Sequence, residues 1–438
     1  MSSPDAASNR RDFFAFFRQS GWLLVATGLT GFFLIAVHTP AGQMAVRSKA
    51  EYSLFTTLLD ALPLLGIPAA GLQAVFAQMV AGAVDEGRRA VVRAAVRRVL
   101  VVVTLLWIAG ATWVWVERDA VIAGWRIRNP VSLWLTLAVA LVSLWTPVFL
   151  GLLQGAQRFL WIGNASIAMG LGRFLGVALF VVLLGGLAAG AMAGVLVGAC
   201  VALLIAVWSS RSEWRGPVDA TGAWAWLRPW LALTLGLAAG SVMLSADTQL
   251  VQWVFTDEKT AFYMAAGRVG RGVVALTMPL ALVLFPKVAR SAATGEPTGA
   301  LKLALGATLG TGVSAALVCT LVPTLPIQVL YAGNPTFQPA AELVPLFCWC
   351  LLPLTAAYTL INNLLARGRF AAVPWLLAIA GGYALTLWWM KDGLLTLELF
   401  EAFRRVLRVL GIFSLLLLAV ASIFSLRPAS AARVARPV

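Results

Sequence analysis

The chain has 438 residues, of which 61% are hydrophobic and only 12% charged, with a mean hydropathy of +0.88. A water-soluble domain carries about twice that share of charge, so composition excludes a soluble enzyme or a soluble nucleic-acid-binding domain and points to a polytopic membrane protein. The 33 basic and 18 acidic residues leave a net charge of +15. In such a chain that excess is a topology signal and a contact surface for anionic lipid. Long continuous apolar runs predict membrane helices rather than the short alternating strands of a barrel.

Arg10, Arg11 and Arg18 precede the first apolar run, and no small-residue cleavage site follows, so a retained first helix is expected rather than a signal peptide. Twelve spans follow, at about 20–38, 53–82, 99–116, 131–153, 161–184, 187–208, 229–254, 262–286, 302–323, 341–365, 371–390 and 406–426. Gly185-Gly186 divides the fifth from the sixth, and Pro323, Pro326 and Gly333-Asn334-Pro335 close the ninth. Pro63, Pro68 and Pro279 predict kinks. Between the second and third spans, Arg88 to Arg98 carries arginines at helical spacing, which predicts an amphipathic segment lying on the membrane surface. The connections are short, so function must lie within the helices.

Lysine and arginine set the orientation. With the N-terminus cytoplasmic, 20 of the 33 basic residues fall on the inside and 10 on the outside, and Arg173, Arg268 and Arg271 lie within spans. That bias places both termini on the cytoplasmic side of the membrane. Cys200, Cys319, Cys348 and Cys350 all sit in apolar stretches, and Cys348 and Cys350 diverge on a helix. They read as packing residues. With one histidine, His38, no metal or histidine-based chemistry is expected, and neither is a cofactor. Many of the 18 tryptophans lie near span ends and read as interface anchors.

Asp247 to Arg290 carries the strongest chemical signal. Arg268 and Arg271 lie three residues apart inside one span, predicting a common helix face. An arginine at membrane depth costs about 3 kcal/mol or more and faces a partner or a cavity. A second signal is repetition. Shifting the chain by 211 residues aligns Tyr52 with Tyr263, Pro68 with Pro279, and Arg158-Phe159 with Arg369-Phe370. Two six-helix halves in the same orientation follow, residues 1–215 and 216–438, with a cavity between them. The same shift sets Asp60 against Arg271. Asp60, Asp247, Arg268 and Arg271, with Gln73, Gln78 and Tyr263, are the candidate polar lining. Asp60 and Asp247 are candidates to couple transport to H⁺ or Na⁺, or else to neutralise the arginines as ion pairs.

These residues resemble a known family. Asp247, Tyr263-Met-Ala-Ala-Gly267 and Phe285-Pro286 resemble the helix seven–eight region of bacterial polysaccharide-biosynthesis flippases. Gln73 to Gly87 resembles the end of their helix two, and Leu153 to Phe159 their helix four–five turn. The resemblance implies the multidrug/oligosaccharidyl-lipid/polysaccharide superfamily. It also implies an all-α fold of about twelve transmembrane helices in two six-helix bundles forming a V around a central cavity. It implies a flippase carrying an undecaprenyl-diphosphate-linked glycan to the outer leaflet for O-antigen or exopolysaccharide assembly, alongside glycan-assembly enzymes and membrane lipids. Guanidinium groups suit phosphate oxygens, so Arg268 and Arg271, and secondarily Arg173, are the expected diphosphate contacts, with Tyr263 and Gln73 nearby. The alternative is a small-molecule or drug/cation antiporter of the same superfamily. A major-facilitator-type transporter and a membrane glycan polymerase fit less well, because no long central loop and no sizeable outer loop is present.

Overall fold

The computed structural model describes residues 4–38, 40–41, 48–125, 127–222, 224–295, 299–331 and 335–426. Its long helices are α1 (Pro4–Ala36), α2 (Lys49–Ala61), α3 (Gly66–Gly82), α4 (Glu86–Val116), α5 (Pro130–Gly155), α6 (Phe159–Val177), α7 (Ala188–Ser209), α8 (Leu227–Val254), α9 (Asp257–Thr294), α10 (Ala300–Leu321), α11 (Val344–Ala366), α12 (Val373–Leu394) and α13 (Leu399–Leu426). Ten helices among the described residues are long and apolar enough to cross a membrane. The first two expected spans fall on the 33-residue α1 and on the α2–α3 pair, in which Gly66–Gly82 is a shorter apolar helix. The protein is therefore an all-α polytopic membrane protein.

The second span is two helices rather than one. A 3₁₀ turn at Leu62–Leu65 separates α2 from α3, because Pro63 has no N–H to offer the helix ladder. In α9, by contrast, Pro279 and Pro286 lie inside one continuous 38-residue helix.

The basic stretch Arg88 to Arg98 departs from expectation. It is the first third of α4, not a separate helix on the membrane surface. At 1.5 Å per residue, the 31 residues of α4 reach about 46 Å against a hydrocarbon core of about 30 Å, so this third projects beyond the membrane. There it holds the linker between α7 and α8. Arg93 is buried, pairs with Glu86 at 2.5 Å and donates to the Pro217 carbonyl at 3.3 Å. Arg97 donates to the Gly216 carbonyl, and Arg98 lies 5.1 Å from the ring centre of Trp224. Gly216 has φ +124° and a Cβ there would press on the Arg93 guanidinium, so only glycine suits this turn. Further along, Thr221 donates to Asp219 through its hydroxyl and its backbone N–H, which holds that exposed carboxyl below the usual range.

Two compact units divide the chain, Met1–Thr234 and Leu235–Val438, the division falling inside α8. In the first unit α6 packs on α7 and α1, and α5 packs on α3 and α7. Glycine makes these approaches. A Cβ on Gly151 would sit 2.5 Å from the Gln73 carbonyl, and one on Gly155 would sit 2.6 Å from that of Ala77. Gly172 and Gly176 on α6 meet Gly198 and Gly194 on α7, backbone against backbone. Small-xxx-small spacing of this kind is how membrane helices gain close van der Waals contact without a hydrophobic driving force. In the second unit α11 is the central helix, packed against α9, α10 and α13, while α12 packs on α13.

Two turns 211 residues apart match in detail. After α5, Arg158 donates its N–H to the Leu153 carbonyl and Gln157 to that of Gln154, with Gln157 at φ 55°. After α11, displaced by the same 211 residues, Arg369 donates to Leu364 and Gly368 to Leu365, with Gly368 at φ 68°. Both are Schellman endings, in which a left-handed residue lets two N–H groups return to the helix carbonyls. Each arginine then reaches the end of the last helix of its unit, Arg158 to the Ser209 carbonyl at 2.8 Å and Arg369 to that of Phe424 at 3.2 Å. Gln157 occupies a conformation that costs a side-chain-bearing residue about 1 kcal/mol. Gln157→Gly should therefore stabilise the protein by roughly that amount, read as a rise in melting temperature in detergent.

Candidate functional site

In the second unit Asp247 gathers Arg271 and Tyr263 around it. Small residues on α8 allow it. A Cβ on Gly240 would sit 2.7 Å from the Tyr358 ring, and one on Gly236 2.9 Å from the Leu365 side chain, so α8 lies tight against α11. Asp247, one turn or more further along α8, is fully buried. Its Oδ2 accepts from the Arg271 guanidinium at 2.6 Å and from the Tyr263 hydroxyl at 2.6 Å. Arg271 also donates through Nε to the Leu244 carbonyl at 2.8 Å and lies 5.5 Å from the centre of the Phe347 ring. Charge-assisted bonds of this length are about twice as strong as neutral ones, and the aromatic face adds a further favourable contact for the cation.

Gly267 is part of this geometry. The Arg271 side chain runs back along α9, and its Nη1 occupies the space a Cβ on Gly267 would need. Tyr263 is held by rings on two sides, Phe347 at 4.9 Å and Phe403 at 5.2 Å between centroids. Asp247 Oδ1 is buried and has no hydrogen-bond partner among the described residues, and the same holds for the Tyr383 hydroxyl. Tyr383 lies within electrostatic reach of Asp247 and Arg271. The carboxylate thus has one oxygen committed to two donors and one oxygen uncommitted.

The two arginines expected on one face are separated. Arg271 is drawn inward to α8, whereas Arg268 is exposed and has no ion pair among the described residues. The other candidates lie in the first unit. Gln73 donates to the Gln154 side chain at 2.9 Å, tying α3 to α5. Arg173 is partly buried on α6, its backbone against Gly198, and its Nε has no partner among the described residues. Asp60 lies in the last turn of α2, and its side chain falls outside the described residues. The described cysteines are free, and Cys350 packs against Gly411, as expected of packing residues.

Sequence reasoning missed Tyr383, Phe347 and Phe403. A usable signal existed for Tyr383, one of only 5 tyrosines in the chain and placed mid-span after Gly381-Gly382. Glu51 was also missed. It is buried at 3% exposure and accepts the Ala188 N–H at 3.1 Å, so its carboxylate sits at the N-terminus of α7, where the helix dipole favours negative charge.

No family model matches the sequence, and no curated protein matches it. Solved structures do. The chain is similar to the bent form of VcmN, a MATE transporter of Vibrio cholerae, with a TM-score of 0.77 at 15% identity over 96% of this chain and 98% of that one. It is similar to a transporter of the MOP superfamily from Pyrococcus furiosus, described as having a binding pocket of reverse polarity that suggests a different function (TM-score 0.71, 13% identity, 94% of each chain). It is also similar to the eukaryotic MATE transporter AtDTX14 (TM-score 0.70, 12% identity, 94% of this chain and 96% of that one). The fold is that of the MATE transporters of the MOP superfamily.

These neighbours correct two expectations. They are transporters named for the MATE family, one of them for multidrug resistance, and they support the small-molecule alternative over a flippase of lipid-linked glycans. The polyprenyl-diphosphate-linked glycan is likewise withdrawn as the partner. The physical reason lies in the arginines. A diphosphate clamp needs two adjacent free guanidinium groups, and Arg271 is already committed to Asp247.

Proposed function

We propose that the chain is a secondary antiporter of small molecules, in which a coupling cation and the substrate compete for Asp247. The observation that carries this reading is the uncommitted Oδ1 of a fully buried carboxylate at membrane depth. Intramembrane carboxylates are the usual seats of ion coupling. One free oxygen can take a proton, a sodium ion or a donor group of the substrate, but not two of them together, and mutual exclusion is the requirement for exchange. Arg271 holds the carboxylate in place through its other oxygen. The MATE-type fold supports the class of activity.

Arg268, exposed and without an ion pair, is proposed as the second substrate contact, taking an acceptor group. The favoured ligand then carries both a donor for Asp247 and an acceptor for Arg268. Both termini are proposed to be cytoplasmic, from the distribution of basic residues.

A panel of small organic cations, anions and zwitterions, scored by thermal shift of the purified protein, tests this reading. Zwitterions should give the largest shifts. Arg268→Ala should weaken the best ligand about tenfold, the value of one charge-assisted hydrogen bond, without lowering the melting temperature of the free protein. Binding that is indifferent to Asp247→Asn would contradict competition at this residue.

A further inference from the structure

A second site lies in the first unit, where the middle of α1 passes the turn between α5 and α6. There the turn between α5 and α6 and the flank of α1 border an open cavity of about 520 Å³, lined by Arg18, Gln19, Trp22, Gln157, Arg158 and the start of α6. Glycine builds it. The Trp22 indole occupies the space of a Cβ on Gly163, so it lies across α6 and donates to the Leu160 carbonyl at 3.3 Å. Gln157, in the left-handed conformation, turns the chain so that Arg158 faces the same cavity.

We propose that this cavity binds one phospholipid headgroup whose phosphate carries a hydrogen-bond donor, such as phosphatidylglycerol. Three observations carry it. First, the charge is complementary: Arg18 is exposed with no ion pair among the described residues, and Arg158, whose guanidinium has five N–H groups, donates one to the Ser209 carbonyl and stands 3.7 Å from the Glu213 carboxylate. Second, Gln19 Oε1 is buried and has no hydrogen-bond partner among the described residues. A phosphate has no proton to give this acceptor, but a glycerol hydroxyl does. Third, the apolar side of the cavity suits acyl chains, since Leu160 is 58% exposed and Trp161 41% exposed beside the arginines. Tryptophan at this level is the usual neighbour of headgroups, and basic pockets between membrane helices bind anionic ones. Free phosphate shares the arginine chemistry but uses neither Gln19 nor the apolar wall.

Native mass spectrometry of the full chain in detergent tests the site, with phosphatidylglycerol, phosphatidylmethanol, phosphatidylcholine and inorganic phosphate as probes. The wild type should retain one tightly held phosphatidylglycerol and prefer it to phosphatidylmethanol, which lacks the donor, by about tenfold. Arg18→Ala should weaken phosphatidylglycerol about tenfold, while Gln19→Leu should erase the preference over phosphatidylmethanol. Neither should change the melting temperature of the lipid-free protein. Arg118→Ala, an exposed arginine stacked on Trp115 elsewhere, should leave binding unchanged. Three results would overturn the proposal: equal retention by wild type and Arg18→Ala, an equal loss in Arg118→Ala, or displacement of the lipid by an equal concentration of inorganic phosphate.

Discussion

Asp247→Asn is expected to destabilise the protein by about 3–5 kcal/mol and to remove its dependence on an ion gradient. The magnitude follows from what is left behind. Arg271 keeps its charge at any accessible pH, and removing the carboxylate strands that charge beside a buried tyrosine. Arg271 is a quarter exposed, so the cost should fall toward the lower end of that range. The double variant Asp247→Asn/Arg271→Gln should recover most of the stability, because it leaves no unpaired charge, and it should not recover coupling. A cycle of the two single variants and the double variant, measured by thermal unfolding in detergent, separates the pair's interaction from the cost of stranding either partner. A stable single variant would mean that the ion pair is absent from the protein in its membrane-extracted form.

The second large effect concerns packing. Gly194→Ala should destabilise the first unit by about 3 kcal/mol, the upper end of ordinary overpacking. Its Cβ would meet the Val177 amide and the Gly176 carbonyl carbon, both backbone atoms that cannot rotate away. The helices α6 and α7 must then separate along a seam built from four glycines. Gly310→Ala in α10 is the internal comparison. Nothing lies within 4 Å of its ideal Cβ, so replacing a helical glycine there should stabilise by up to about 1 kcal/mol. Opposite signs in melting temperature for these two glycine-to-alanine changes are the expected outcome. The same sign for both would show that helix propensity, rather than close approach, governs Gly194.

Much of this architecture was legible in the sequence, for reasons particular residues make clear. Apolar length marked the spans. The pair Arg158-Phe159 and Arg369-Phe370 marked the repeat, because each arginine serves the same turn and the same helix end in its unit. Asp247, Tyr263 and Arg271 stood out as polar residues at membrane depth, and the structure joins them. What spacing did not reveal was direction. A separation of three residues predicts a shared face for Arg268 and Arg271, but the long Arg271 side chain passes over Gly267 and turns inward. The basic face of Arg88 to Arg98 matched a surface helix in its periodicity. Only the linker carbonyls of Gly216 and Pro217 show why those arginines are there.

The substrate was misread because the resembling motifs are architectural. Leu153 to Phe159 forms a Schellman turn, and Gln73 bonds to Gln154 within the bundle. Such residues report how a bundle is assembled, and a fold shared by several transport activities carries them whatever it moves. Tyr383 illustrates the reverse difficulty. It lies within electrostatic reach of the charged pair from α12, more than a hundred residues beyond Asp247 in the chain, and no local pattern announces that proximity.

The central claim is that Asp247 couples transport to a cation. Its most direct test is uptake into proteoliposomes of the panel's best ligand, measured with and without an imposed pH or Na⁺ gradient. Wild type should be compared with the double variant Asp247→Asn/Arg271→Gln, which is expected to keep the fold. Gradient stimulation in the wild type and none in the double variant is the result this account predicts. Equal stimulation in both would contradict it and place the coupling elsewhere in the chain.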